Sequence, residues 1–111
     1  MCILITTTAP NDEVAKRIVD ALLAQGLAAC VQLQNIESHY VWDGEIQQSQ
    51  EVLLYIKTTQ ALYNAAEQAL IAIHPYDVPQ IIALPITDGF APYLDWVQNS
   101  TKNNALLLKK L

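Results

Sequence analysis

Two segments of the chain carry apolar side chains three or four residues apart, the spacing that predicts an amphipathic helix. The first segment follows Asn11, whose side chain can cap a helix, and ends at Gly26, which favours a left-handed helix terminus. The second ends at His74, because Pro75 disfavours helical geometry at the residue before it. The apolar positions are Val14, Ile18, Ala21 and Leu22 in the first segment and Leu62, Ala66, Ala69, Leu70 and Ile73 in the second.

Four other segments are rich in β-branched and aromatic residues and predict strands. They cover residues 3–7, 27–42, 46–56 and 80–84. Asp43-Gly44 separates the second segment from the third and is a strong signal for a two-residue hairpin turn. The last segment is a short, continuous apolar run, which predicts a buried strand.

The long second strand changes the parity of its apolar side chains. Val31 and Leu33 share one face, whereas Tyr40 and Trp42 occupy the other. A bulge near Gln34-Asn35 would reconcile the two halves. The hairpin tip is otherwise polar, and an isolated ribbon is marginal in water, so we expect it to extend past the sheet and lie on a neighbouring subunit. The alternative is an aromatic pair folded back onto its own core.

The order strand, helix, strand, strand, helix, strand is that of the ferredoxin-like βαββαβ sandwich, an α+β fold with an antiparallel sheet. Right-handed crossovers place the first and third strands in the centre and both long helices on one face. A short third helix over residues 93–98 follows Pro92. We predict one domain over residues 1–111, with a core over 1–99 and a tail over 100–111 that could be a surface helix or an added edge strand.

The balance of apolar and charged residues predicts an oligomer. Apolar residues make up 52% of the chain and charged residues 15%, and soluble domains usually carry about a quarter of charged residues. A small domain has little interior in which to hide the excess, so we expect burial against further copies of the chain. A monomer with scattered exposed apolar side chains is the alternative.

Charge and hydropathy exclude two classes of partner. The net charge is −5, and the few basic residues form no stripe that could follow phosphates, which argues against nucleic-acid binding. No apolar run reaches the length of a membrane span, and no signal-peptide pattern opens the chain. Two cysteines without a CxxC pair favour a reducing, cytoplasmic setting, with Cys30 expected to be a buried thiol.

The turn between the second helix and the last strand is the main candidate site. Pro75 and Pro79 hold His74, Tyr76 and Asp77 on a stiff loop at the mouth of the sheet. No nucleophile motif, phosphate-binding glycine loop or carboxylate pair accompanies these side chains, so an enzyme is the least favoured class.

The side chains best suited to copper or zinc are Cys2, Cys30, His39 and His74. None lies at helical or turn spacing from another, so a metal site would have to be assembled by the fold or between subunits. The alternatives are structural: a surface imidazole at His39, a small core thiol at Cys30, and a helix C-terminal histidine at His74.

Seven short motifs stand in order across nearly the whole chain. They are Thr7-Thr8-Ala9-Pro10, Leu27-Ala28-Ala29-Cys30, Tyr40-x-Trp42-x-Gly44, Lys57-Thr58, His74-Pro75-Tyr76-x-x-Pro79, Leu84-Pro85-Ile86 and Tyr93-Leu94-x-Trp96. Together they resemble the CutA family of divalent-cation tolerance proteins. The resemblance implies a ferredoxin-like subunit in a very stable homotrimer, similar in architecture to the PII signalling trimers, whose small-molecule sites lie between subunits. It also implies a link to copper tolerance and copper binding, without established enzymatic activity.

Most of the metal-binding residues found in some members of the family are replaced in this chain. Some members have cysteine at the position of Thr7, histidine at Ile73 and glutamate at Gln80, so only the histidine at His74 remains. A hydroxyl, an aliphatic chain and a neutral amide are poor replacements for thiolate, imidazole and carboxylate. We therefore expect no required cofactor and, at most, weak binding of Cu(II) or another divalent cation.

The sequence thus favours a divalent-cation (copper) tolerance protein, a trimeric and non-enzymatic binding or regulatory protein. We expect His74 to be the metal ligand. A PII-like trimer that binds a small molecule, or a protein-interaction scaffold that uses the tail, is the alternative without a tight metal site. The predicted ligand-binding residues are Tyr40, Trp42, Lys57, His74 and Tyr76.

Overall fold

The structure, a computed structural model, describes residues 1–101. Over this part of the chain, four strands and three α-helices follow one another in the predicted order. Their bounds are β1 Cys2–Ala9, α1 Asp12–Ala24, β2 Cys30–Trp42, β3 Glu45–Thr59, α2 Tyr63–Ile73, β4 Ile82–Pro85 and α3 Ala91–Asn99. The prediction for the tail beyond Thr101 falls outside the described residues.

The four strands form one antiparallel sheet in the order β2-β3-β1-β4. The first and third strands are therefore central, and α1 and α2 share one core with the sheet. This confirms the predicted α+β class and the strand order expected of the ferredoxin-like arrangement. Fully buried side chains in this core are Ile3, Ile5, Leu54 and Ile56 of the strands and Ile18, Leu22, Ala66 and Leu70 of the helices.

The ends of α1 are set by local side-chain chemistry. Asn11 accepts a hydrogen bond through Oδ1 from the Val14 backbone N–H at 2.9 Å, which satisfies an N–H that the first helical turn leaves unpaired. Gly26 follows the helix with φ of 70°, in the left-handed region that glycine adopts without strain. Both predicted termini are confirmed.

The hairpin turn is confirmed, but the predicted bulge is wrong. Asp43 and Gly44 have φ of 55° and 77°, the positive values that a type I′ turn requires. From Cys30 opposite Lys57 to Trp42 opposite Glu45, every residue of β2 pairs with one residue of β3. The parity of apolar residues could not report a bulge here, because most of β2 is exposed and no single core face fixes its pattern.

The last strand and the cysteines differ from expectation in burial. β4 begins two residues later than predicted, at Ile82, and all of its residues are exposed rather than buried. It lies at the edge of the sheet, and within residues 1–101 its apolar run has no covering layer. Cys30 is half-buried, whereas the fully enclosed thiol is that of Cys2.

Side chains alternate across the sheet, so the strand register divides them between two faces. We call the face without α1 and α2 the open face; it carries Leu4, Thr6 and Thr8 of β1, Glu51, Leu53, Tyr55 and Lys57 of β3, and Ile82 and Leu84 of β4. α3 covers one end of this face: Cys2 Sγ donates to the Leu94 carbonyl oxygen at 3.6 Å, and Lys57 Nζ lies 5.4 Å from the centroid of the Tyr93 ring.

Of the helices described over residues 1–101, none is long and apolar enough to cross a membrane.

Candidate functional site

A cleft of about 410 Å³ lies on the open face, at the point where the hairpin leaves the sheet. β1 ends opposite Val52, so β2 and β3 continue beyond it as a two-stranded ribbon. The ribbon forms one wall of the cleft and the loop over residues 76–80 forms the other. A volume in this range suits a small-molecule ligand. The lining residues are Thr8, Tyr40, Trp42, Glu51, Tyr76, Asp77, Val78 and Gln80.

The loop is anchored by the ring of His74, the C-cap residue that follows α2. Its Nε2 lies 2.7 Å from the Thr8 carbonyl oxygen, and because a carbonyl only accepts, Nε2 carries the proton. Its Nδ1 accepts a hydrogen bond from the Tyr76 backbone N–H at 3.2 Å. The imidazole also lies against the Tyr76 ring, with centroids 4.8 Å apart. Both ring nitrogens therefore fix the loop to the end of β1.

Tyr76 is held by the neighbouring strand. Its hydroxyl donates to Glu51 Oε2 at 2.6 Å, across the cleft wall. Burial, this hydrogen bond and the negative charge of Glu51 together raise the pKa of Tyr76 far above its ordinary value, so the phenol stays neutral as a donor. Close by, Gln80 Nε2 donates to Thr6 Oγ1 at 3.1 Å. The loop is thus fixed at His74, Tyr76 and Gln80.

Replacing Tyr76 by phenylalanine is expected to change the alkaline stability of the protein. In the unfolded chain Tyr76 ionises near its ordinary pKa of about 10, whereas the folded protein keeps it protonated because the pKa is raised. The unfolded state then binds fewer protons, so the free energy of unfolding falls as pH rises above that value. Urea unfolding at a series of alkaline pH values should show a slope shallower by up to about one proton per chain in Tyr76→Phe.

The matched variant for this experiment is Glu51→Gln. It keeps an acceptor for the Tyr76 hydroxyl but removes the negative charge, so its slope should lie between those of the wild type and Tyr76→Phe. Equal slopes in all three proteins would show that Tyr76 ionises alike in the folded and unfolded states.

The structure brings together most, but not all, of the predicted ligand-binding residues. Tyr40, Trp42 and Tyr76 line the cleft, and His74 lies directly behind Tyr76. Lys57 does not join them: it is six residues further along β3 than Glu51, about 20 Å away at strand spacing, beside α3.

Glu51 is missing from the predicted set, although it is the partner of Tyr76. Its place in the cleft depends on the register between β3 and β1, which the spacing of residues along the chain does not reveal. One feature of the sequence could have identified Glu51. It is the last polar residue before Val52, at the point where the return strand changes from mostly polar to mostly apolar residues.

The predicted metal residues do not converge. Within residues 1–101, no three His, Cys, Asp or Glu side chains lie close enough together to hold a metal ion. Thr7 is fully buried on the helix-bearing face, whereas Gln80 contacts Thr6 on the open face. His39 is exposed on the hairpin beside Glu37. At His74 a metal would have to displace a backbone hydrogen bond from one ring nitrogen, so this arrangement does not fit a tight metal site.

Comparison with proteins of known sequence places these features in a family. Residues 3–100 match the family model described as CutA1 divalent ion tolerance protein. The divalent-cation tolerance protein CutA of Thermus thermophilus is 42% identical over 99 residues, which cover 88% of this chain and 96% of that protein. Protein CutA, chloroplastic, of Arabidopsis thaliana is 45% identical over 102 residues, which cover 91% of this chain and 56% of the relative. The chain therefore spans little more than half the length of the plant protein.

Solved structures agree with the sequence comparisons. The divalent cation tolerance protein (Cut A1) from Thermus thermophilus superposes with a TM-score of 0.88 at 42% identity, over 91% of this chain and 99% of that one. CutA1 from a psychrotrophic bacterium of the genus Shewanella gives a TM-score of 0.86 at 48% identity, over 90% and 94% of the two chains. The family match over residues 3–100 and these relatives show that the chain belongs to the CutA1 divalent ion tolerance family.

Proposed function

We propose that this member of the divalent ion tolerance family acts as a non-enzymatic binding protein, and that the cleft beside Tyr76 takes a small ligand. The observation that carries the proposal is the cleft itself, in which the aromatic rings of Tyr40, Trp42 and Tyr76 stand beside a few polar groups. Concave sites of this size with mostly apolar walls and a few placed polar groups are typical of ligand pockets. Tolerance of divalent ions would then depend on a bound small molecule rather than on an ion chelated by the protein.

We propose further that the working unit is a PII-like homotrimer. Two features support it: the open face carries half-exposed Ile82 and Leu84, and the hairpin carries exposed apolar side chains beyond the sheet, among them Val41 and Ile46. Packing of copies at β4 and at the hairpin would bury these apolar side chains, as the apolar composition also favours. The cleft, at the base of the hairpin, would then lie close to a neighbouring subunit.

The side chains around the cleft support a binding rather than a catalytic role. His74 is the natural general base of the site, but both of its nitrogens are engaged with the backbone. Tyr76 is held neutral beside Glu51, with a raised pKa that opposes its use as an acid or base near neutral pH. We also propose a reducing, cytoplasmic setting, supported by the free thiols of Cys2 and Cys30.

The alternative to a small-ligand cleft is direct copper binding through His74. A metal titration distinguishes these two functions. Metal-stripped protein is titrated calorimetrically with Cu(II) and Zn(II), and the oligomer mass is followed by light scattering. We expect weak binding that His74→Ala leaves unchanged, because neither imidazole nitrogen offers a free lone pair.

His39→Ala is the matched control, since it removes the other histidine of the chain from an exposed position on the hairpin. Submicromolar binding at one site per subunit or per trimer, lost in His74→Ala and kept in His39→Ala, would make His74 a metal ligand. The proposal of a cleft that acts through a small molecule would then fail.

A further inference from the structure

The cleft has an unusual charge for a pocket with aromatic walls. Two carboxylates, Glu51 and Asp77, stand among the rings of Tyr40, Trp42 and Tyr76. None of the lining residues that the structure describes is lysine, arginine or histidine. An anionic ligand would therefore meet like charges without a compensating cation, which disfavours it.

The charge of Glu51 is oriented but not compensated. The Tyr76 hydroxyl that donates to Glu51 Oε2 is a neutral group, so the hydrogen bond holds the carboxylate in place and leaves its net charge available. Asp77 is exposed at the opposite wall, on the loop fixed by the prolines. A positive ligand group between these walls would be attracted by both carboxylates.

The aromatic rings select among positive ligands. In the isolated subunit Tyr40 and Trp42 are 44% and 52% exposed and line the cleft, so part of each side chain borders the space that a ligand would occupy. A cation over an aromatic face is attracted by the ring quadrupole, most strongly over tryptophan. Hard inorganic cations instead require several oxygen ligands, which aromatic walls do not supply. The combination of rings with carboxylates suits a cation that carries its own apolar surface.

We infer that the cleft binds a small organic ammonium ion, with its charged nitrogen near Glu51 and Asp77 and its alkyl groups against the rings of Tyr40 and Trp42. This inference rests on the proposed function of the cleft and names the chemical class of its ligand. Burial of the alkyl groups is favourable because it removes apolar surface from water. The charge stays close to the carboxylates and the aromatic rings, so its burial is compensated as well.

The experiment is a titration of the full chain followed by the indole N–H signals of its two tryptophans in nitrogen-15 NMR spectra. The probes are choline chloride, its uncharged isostere in which carbon replaces the nitrogen, and the anion tert-butylacetate, all at ionic strength matched with sodium chloride. Choline should shift the Trp42 signal saturably and bind at least about tenfold more tightly than the isostere, since a desolvated cation–π contact reaches about 2 kcal/mol. Trp96, on α3, is the internal control and should not move.

Variants test which carboxylates attract the positively charged ligand. Asp77→Asn and Glu51→Gln should each weaken choline binding several-fold, whereas Asp88→Asn removes one negative charge at an exposed position outside the cleft and should not. Asp77 is exposed, so its variant tests the idea even where Glu51→Gln perturbs the fold.

Two results would overturn the inference. Equal or tighter binding of the isostere or of tert-butylacetate at Trp42 would reject a cationic ligand while retaining the cleft as a small-molecule site. No saturable shift of Trp42 with any probe would also reject it, and the copper titration would then judge the proposed function independently.

Discussion

The variant Ile82→Asp is expected to run in solution with the mass of a single chain, whereas the wild type is expected to run with the mass of the proposed trimer. Ile82 lies on the open face and is 51% exposed in the isolated subunit, so the proposed trimer would bury it between subunits. A carboxylate at that position would lose its water without a partner, at a cost of several kcal/mol for each subunit. Light scattering over a range of protein concentrations measures the effect.

The matched control is Ile71→Asp. Ile71 is also an isoleucine that is 51% exposed, but it lies on α2, on the other side of the sheet. This variant should keep the wild-type mass. Loss of the oligomer in Ile71→Asp alone would place the subunit interface on the helix layer and contradict an assembly through the open face.

Leu22→Ala is expected to lower the free energy of unfolding by about 2–5 kcal/mol, through lost apolar burial and the cavity left behind. Leu22 is fully buried on the inner side of α1, in the core that α1 and α2 share with the sheet. Urea unfolding at one fixed protein concentration measures the change, because the stability of an oligomer depends on concentration.

The neighbouring residue provides the control. Leu23 is 44% exposed on the same helix, so Leu23→Ala carries the same change of helix propensity without the same loss of packing. Its free energy of unfolding should change by no more than about 0.5 kcal/mol. A similar loss in both variants would contradict the orientation of α1 on the sheet.

The parts of the fold that the sequence predicts well depend on neighbouring residues. Asn11 caps α1 with its own side chain, and Gly26 ends it through its backbone freedom. The turn at Asp43-Gly44 needs positive φ at two successive positions, which few residue pairs tolerate. These signals act within a few residues, so they survive whatever packs around them.

The mistaken predictions concern burial, which is not a local property. The parity change along β2 suggests a bulge only if one face of the strand is always buried, and in this chain most of β2 is exposed. The apolar run at Ile82 is typical of a core strand, yet β4 lies at a sheet edge and is exposed in the part of the chain that the structure describes. Both segments contain apolar residues that the described part of one subunit leaves exposed.

The candidate site, like the fold, has features that the local sequence predicts and features that depend on distant residues. The sequence by itself determined the stiff loop, because Pro75 and Pro79 restrict its backbone, and it pointed to Tyr76 and His74 as the polar groups there. Only the tertiary structure decided what those groups do. The pairing of β1 with β3 sets Glu51 beside the Tyr76 hydroxyl, and the end of β1 brings the Thr8 carbonyl to His74. Both partners are many residues away along the chain, so no local spacing reports them.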